Sequence, residues 1–402
     1  MPERDAEVIV VGGGPAGSVT ATLLAESGHR VVLLDKASFP RHKACSEYLV
    51  ADGSRILRDL GMEHEILAAG AHRLEAMRVY APGGRTFLAD FGRAHPGAAA
   101  LGLTRYRMDA LLLDRARAAG VDVREQAHVR NLIRKDGRVE GVEATIAGSR
   151  ESLRSPLVVG ADGHHSVVSR SLGLDGPVRW PHRIGLVAHY RGVQGLDRNG
   201  EMHVTRHGYV GLAPLEDGLT NVAVVTDSGS VTRRGVPIEE YFRRTLDAIP
   251  AVAARFREAE RMGTIRGVGP LARRVRRVSG AGYLLVGDAT GFLDPFTGDG
   301  MYDAMRGGQI AAPVLSAALR SGDASAEAMR PYGAARRRAF WAKRRVRWIV
   351  QGFLHAPPLM NYVTDRLDER NELGDTLSGV LANTRPASSA LSPLFLARLL
   401  RP

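Results

Sequence analysis

Six residues near the start of this 402-residue chain, Gly12-Gly13-Gly14-Pro15-Ala16-Gly17, carry its most readable chemistry. An apolar, β-branched run at 7–11 precedes them, and 18–27 reads as a helix closed by Gly28. They therefore form the turn of a strand–turn–helix unit. Gly12 permits the tight turn, Gly14 lets a pyrophosphate approach the backbone, and Gly17 lets helix and strand pack closely. The free N–H groups at the start of the helix, with about half a positive charge, face the phosphates. A second buried strand at 30–34 runs into Asp35 and Lys36. A carboxylate at that place accepts hydrogen bonds from both ribose hydroxyls of an adenosine.

Two further motifs follow in order. The first is Gly160-Ala161-Asp162-Gly163-His164-His165-Ser166, with Arg170 behind it. The second runs from Gly287 and Asp288 to Pro295, Gly298, Asp299, Gly300 and Met301. Asp288 follows a buried strand, where it can bond a sugar-alcohol hydroxyl. Gly298 and Gly300 let the backbone come close to a flat ring, and a helix from Met301 points its positive end there. A reduced flavin is anionic at N1 and C2=O, so this placement favours it.

In this order the three motifs resemble those of the FAD-dependent oxidoreductases that share the p-hydroxybenzoate hydroxylase fold. Phe39-Pro40-Arg41-His42-Lys43-Ala44-Cys45-Ser46-Glu47 is similar to the FPRxKxCG segment of the geranylgeranyl reductase and flavin-dependent halogenase branch. The resemblance covers about residues 5–330. It implies that Gly12, Gly14, Pro15, Ala16 and Gly17 hold the ADP part of FAD. Asp35 would hold the ribose, with Lys36, Arg41, Lys43, Cys45 and Arg105 nearby. It puts Asp162 near the pyrophosphate, Gly287 and Asp288 at the ribityl chain, and Pro295, Gly298, Asp299, Gly300 and Met301 against the isoalloxazine. Ser46 departs from the family, which usually has glycine there.

The resemblance implies a monooxygenase of secondary metabolism, passing oxygen from a flavin C4a-hydroperoxide to an aromatic or polyketide-like molecule. The alternative is an ene-reductase acting on isoprenoid double bonds. Cys45 and Tyr209 are the candidate catalytic side chains, Tyr209 as a substrate contact. The halogenase signature WxWxIP is absent. Prenyl reductases of this branch carry YxWxFP, where this chain reads Tyr209-Val210-Gly211-Leu212-Ala213-Pro214. No second GxGxxG occurs, so NAD(P)H is expected to dock transiently at the flavin, or an external reductase to supply electrons. His189, His203 and His207 are expected to be structural. No His, Cys, Asp or Glu spacing resembles a metal site.

These groups need a scaffold. The alternating β and α signals predict an α/β fold: a Rossmann-like FAD-binding domain with a parallel sheet, an inserted antiparallel substrate sheet and a helical C-terminal region. The expected boundaries are 1–75, 101–178 and 268–330 for the FAD-binding domain, 76–100 and 179–267 for the substrate domain, and 331–402 for the C-terminal helices. Helix breaks are expected at Pro331, Pro357-Pro358, Pro386 and Pro393. Hydrophobic residues make up 44% and charged residues 24%, which excludes collagen-like and disordered classes. No apolar run approaches the ~18 residues of a membrane span. The single cysteine excludes an internal disulfide, and with no signal-peptide pattern a cytoplasmic protein is expected. The net charge is +12, and all but four of the 55 basic residues are arginine. The dense stretch at 336–347 could dock an acidic carrier protein or a membrane surface. Its interleaved aromatics suit core packing better than nucleic-acid binding, so a nucleic-acid partner is not expected.

Overall fold

The computed structural model describes residues 5–232 and 235–401. Its centre is a six-stranded sheet in the order Ser279–Gly280, Tyr283–Leu285, Leu157–Gly160, Val8–Val11, Val31–Leu34, Asp122–Arg124. Five strands are parallel, with Val8 beside both Leu157 and Val31. Near-continuous apolar runs arise because both faces are covered. Val8, Val10, Val31, Leu33, Leu157 and Val159 pack with the helices Pro15–Glu26 and Gly300–Ser321. Ile9, Val11, Val32, Leu34 and Val158 pack against a three-stranded antiparallel sheet, Ala127–Lys135, Arg138–Ile146 and Ser149–Arg154.

A second, seven-stranded sheet has the order Glu260–Val268, Arg183–Arg191, Leu219–Asp227, Gly208–Pro214, Asn199–Thr205, Ala76–Tyr80, Thr86–Asp90. It contains the antiparallel strands expected of the inserted sheet. One pair is parallel instead: Asn199–Thr205 runs beside Ala76–Tyr80, which arrives from far earlier in the chain. One face carries the helix Ile238–Asp247 through Tyr241, Phe242 and Leu246. The other faces the C-terminal helices and the site.

Several sequence expectations need correction. The first helix begins at Pro15, inside the glycine motif, because proline is well placed at the first helical position. The strand Asp122–Arg124 ends before Gln126, whose φ of 52° turns the chain into Ala127–Lys135 in a different sheet. Pro331 breaks nothing. It lies in the second turn of the helix Ala326–His355, where it removes one hydrogen bond. The fully buried Met329 and Tyr332 hold that turn, and the Tyr332 hydroxyl donates to the Leu285 carbonyl at 2.7 Å. Pro357 and Pro393 do open new helices, Pro357–Glu369 and Pro393–Leu400. Among the described residues no helix is long and apolar enough to cross a membrane.

Candidate functional site

The glycine motif lies at the C-terminal edge of the parallel sheet, where the chain turns from the strand Val8–Val11 into a helix. A β-carbon on Gly17 would sit 1.8 Å from the Gly12 carbonyl oxygen, so this contact allows no side chain. Gly14 differs. A β-carbon there would meet nothing closer than the guanidinium nitrogens of Arg105 at 3.6 Å and Arg41 at 3.7 Å. Asp35 is buried. Its Oδ2 accepts the Gly13 N–H at 2.7 Å and its Oδ1 the Ala37 N–H at 2.8 Å, which ties the two βα turns together. Lys36, next to it, is exposed.

Three cations converge beside this turn. Asp109, fully buried, pairs with Arg105 at 2.5 and 2.6 Å and with Arg41 at 3.0 Å. Burial works against the Arg105 charge, but Asp109 and the Cys45 sulfur hold its pKa above the usual value. Lys43 has no ion-pair partner within 4.0 Å among the described residues. Burial and then Arg105 push its ammonium below the ordinary value, while Asp288 and Asp109 pull it back up. Opposite, Asp162 accepts the Val167 N–H at 2.6 Å through Oδ2, whereas its buried Oδ1 has no partner. Burial raises this carboxyl. Three converging cations, an orphaned acceptor and a glycine with room beside it suit a dinucleotide with an anionic pyrophosphate and donor hydroxyls.

The helix Gly300–Ser321 starts on the far side. Ahead of it, the loop at 295–298 turns through a Gly298 N–H to Pro295 carbonyl bond of 2.9 Å. Gly298 has φ +69°, and a β-carbon there would strike the Tyr48 ring at 2.6 Å. This loop forms one wall of a cavity, and the second sheet forms another. The lining is mostly carbon: Tyr48, Met77, Val79, Phe91, Met202, Leu212, Phe296 and Leu381. Ser46, Asn221 and Thr297 are its polar side chains. Gly211 also lines it, and the nearest atoms to where a side chain would begin are those of Met202 at 3.6 Å and Ala223 at 3.9 Å.

The remaining residues expected in the site occupy different settings. Cys45 is partly buried, its sulfur 3.4 Å from the Glu47 N–H and in contact with Arg105. Met301 is buried among Leu49, Met305 and their neighbours, away from the cavity lining. Tyr209 does not line the cavity. It is 3% exposed, and its hydroxyl donates to Asp294 at 2.7 Å; burial and Asp294 hold it protonated. Asp294 also accepts from Arg183 at 3.2 Å and from the Phe296 N–H at 3.0 Å, so Tyr209 steadies the 294–298 loop from behind.

The Asp299 side chain is engaged elsewhere: Lys343 lies 2.8 Å and Arg347 3.1 Å away, leaving its backbone to face the loop. This corrects the reading of 336–347 as one basic face. Lys343 and Arg347 point inward, and Arg336 bonds Thr290. Arg337, Arg338, Arg344 and Arg345 remain exposed.

Sequence reasoning missed Asp109, Asp294, Glu47 and Asn221. Asp109 carries a local signal, since it lies one helical turn after Arg105. The side chains that the others meet lie far along the chain: Tyr209 and Arg183 for Asp294, and His189 and Asn221 for Glu47.

The model of the FAD binding domain family matches residues 5–346. Digeranylgeranylglycerophospholipid reductase 2 of Methanopyrus kandleri is 32% identical over 333 residues, covering 81% of this chain and 81% of its own. A flavin-dependent halogenase of Armillaria mellea is 29% identical over 354 residues, 78% of this chain and 66% of its own. The solved structure of a geranylgeranyl bacteriochlorophyll reductase-like protein from Thermoplasma acidophilum superposes with a TM-score of 0.81 at 23% identity, covering 98% of each chain. That last likeness concerns the fold. With the family model spanning most of the chain and a cradle that fits the cofactor, the protein belongs to the FAD binding domain family and is an FAD-dependent oxidoreductase of the geranylgeranyl reductase and halogenase branch.

Proposed function

We propose that the protein reduces carbon–carbon double bonds of a long, apolar, isoprenoid-like substrate. The carrying observation is the cavity beside the 295–298 loop, whose lining of Met77, Val79, Phe91, Met202, Leu212 and Phe296 offers few polar partners. Such a wall favours a hydrocarbon chain, because each polar group in the substrate would lose hydration without replacement. The names of the relatives that match at 28–32% identity, digeranylgeranylglycerophospholipid reductases, support the same class.

In this reading Arg41, Lys43 and Arg105 hold the FAD pyrophosphate, Asp35 the adenosine ribose, and Asp162 and Asp288 the hydroxyls of the ribityl chain. The backbone at Pro295, Gly298 and Gly300 faces the ring. FAD supplies hydride chemistry when bound, and the protein positions the alkene and excludes water. NAD(P)H or an external reductase recharges it. The exposed Arg337, Arg338, Arg344 and Arg345, beside the exposed Trp341 and Trp348, form the docking face for the anionic carrier or bilayer that presents the substrate.

Oxygen transfer to an aromatic or polyketide-like ring is the second reading. Gly211 favours it, because it leaves the cavity wall without a side chain at the position where prenyl reductases of the branch carry tryptophan. Anaerobic single turnover separates the two. Reduced holoenzyme mixed with a geranylgeranyl lipid is expected to return to oxidised flavin without oxygen and to yield product with two added hydrogens. Reoxidation only with oxygen, and product carrying an added oxygen atom from an aromatic substrate, would establish the second reading instead.

A further inference from the structure

A buried acid–base pair, Glu47 and His189, lies next to the cavity. Glu47 is 1% exposed and sits in the left-handed region at φ 54°. Its Oε1 accepts the Arg105 backbone N–H at 2.8 Å. Its Oε2 is 2.5 Å from His189 Nε2 and accepts from Asn221 Nδ2 at 2.9 Å. Asn221 also donates to the Cys45 carbonyl at 2.9 Å and, with Ser46, lines the cavity. In the other direction, the His189 ring is 5.9 Å between centroids from His42, which is exposed. His42 in turn lies 4.9 Å from the ring of the exposed Tyr106. Solvent, His42, His189, Glu47 and the cavity wall thus follow one another in a row.

This arrangement asks for a reason. Burying a carboxylate and an imidazole together is no better for stability than apolar packing of the same volume. A carboxylate and an imidazole in hydrogen-bond contact do share a proton readily, and imidazole is the side chain that exchanges protons with water near neutral pH. The chemistry proposed above needs such a supply. A hydride forms one new C–H bond; the π electrons of the alkene form the other with a proton, and that proton must come from water into a cavity lined mostly by carbon.

We propose that His42, His189 and Glu47 form a proton relay from solvent to the cavity. Glu47 gives its proton toward the substrate carbon at the Asn221 wall, His189 reprotonates Glu47, and His42 returns a proton from water to His189. The charge is balanced after each cycle, with water as the proton source and the hydride as the only electron pair delivered. A water between the two imidazoles, or rotation of the exposed ring, closes the step from His42 to His189. The groups facing the row are Arg266 on the strand Glu260–Val268, Asn221 on the strand Leu219–Asp227, and Arg105 and Tyr106 at the start of the helix Arg105–Ala118. Burial, then Arg266 and His189, lower the proton affinity of His42, and Glu47 partly restores it.

The relay rests on the proposed function for its substrate, and the test separates the two. In the oxidised holoenzyme without substrate, NMR titration of His42 is expected to shift when His189→Gln or Glu47→Gln is made; a His42 titration identical in wild type and both variants overturns the relay. In single turnover with reduced holoenzyme, His189→Gln is expected to slow the step on the order of 10²-fold. His42→Gln is expected to slow it about tenfold, less than the ~10²-fold loss of a positioned acid because water partly replaces a surface imidazole, with a larger solvent isotope effect and recovery in added imidazole. FAD retention and melting temperature stay at wild-type values in His42→Gln. Unchanged rates and isotope effects, or losses that track FAD release and resist imidazole, overturn the relay. Failure of wild type to turn over an alkene, with the NMR coupling present, overturns the substrate reading alone.

Discussion

Gly14 and Gly17 are both glycines of one motif, but for different reasons. At Gly17 the protein itself leaves no room, because a β-carbon would fall 1.8 Å from the Gly12 carbonyl oxygen. At Gly14 the backbone has an ordinary negative φ of −77°, and the nearest atoms are two guanidinium groups at 3.6 and 3.7 Å. Nothing in the chain forbids alanine there; the space belongs to the ligand. Gly17→Ala is therefore expected to prevent folding or to lower the melting temperature sharply. Gly14→Ala is expected to melt like wild type as apoprotein while its FAD dissociation constant rises about tenfold or more, roughly 1.4 kcal/mol of binding. Calorimetry on the apoprotein and flavin fluorescence titration check both. Equal FAD affinity in Gly14→Ala would move the pyrophosphate elsewhere.

At the scale of elements, the start of the helix Gly300–Ser321 is fixed by ion pairs to the long helix behind it. Lys343 and Arg347 on Ala326–His355 bracket Asp299 and Asp303, with Arg347 2.6 Å from Asp303. Burial alone would raise the Asp299 carboxyl; Lys343 and Arg347 overturn this and bring it from 3.8 to about 2. A carboxyl depressed in the folded state contributes stability above its unfolded pKa, and loses it as pH falls through the folded value. Asp299→Asn is expected to cost about 2 kcal/mol in urea unfolding at pH 7, from the size of that shift. The gap should close as pH falls from about 4 to about 2. A constant difference across that range would show that the loss comes from packing alone. Because this pairing holds the helix start beside the 295–298 loop, the variant should also weaken FAD retention.

For the whole molecule, the inward pairing of Lys343 and Arg347 leaves a smaller but cleaner surface. Arg337, Arg338, Arg344 and Arg345 stay in solvent, and Arg345 lies over the 54% exposed Trp341 at 4.9 Å. A net charge of +12 adds long-range attraction to an anionic partner, which salt screens over about 8–10 Å. Changing these four arginines to glutamate is expected to abolish sedimentation with anionic vesicles. It should also remove the salt dependence of turnover on a membrane-presented or carrier-bound substrate, leaving turnover of a short soluble analogue intact. Turnover with the same salt dependence as wild type would remove this face from the docking model.

How much of this could be read in the sequence follows from the range of the forces involved. The glycine turn, the strands on either side of it at Val8–Val11 and Val31–Leu34, and the helix that the turn opens depend on local periodicity and on steric rules a few residues wide, so they stand in the linear text. The pairing of Asp109 with Arg105 is local too, and was within reach. Other features depend on chain segments that only folding brings together. Tyr209 has the residue type of a substrate contact, yet Asp294, far along the chain, takes its hydroxyl. His189 reads as an ordinary strand histidine until Glu47 is placed against it. The same run of arginines reads as one surface until two carboxylates claim its inner side. A sequence displays which groups are available and the period with which they face; which charge meets which partner, and which face is left to water, is decided by tertiary packing, because burial and Coulomb pairing act between neighbours in space.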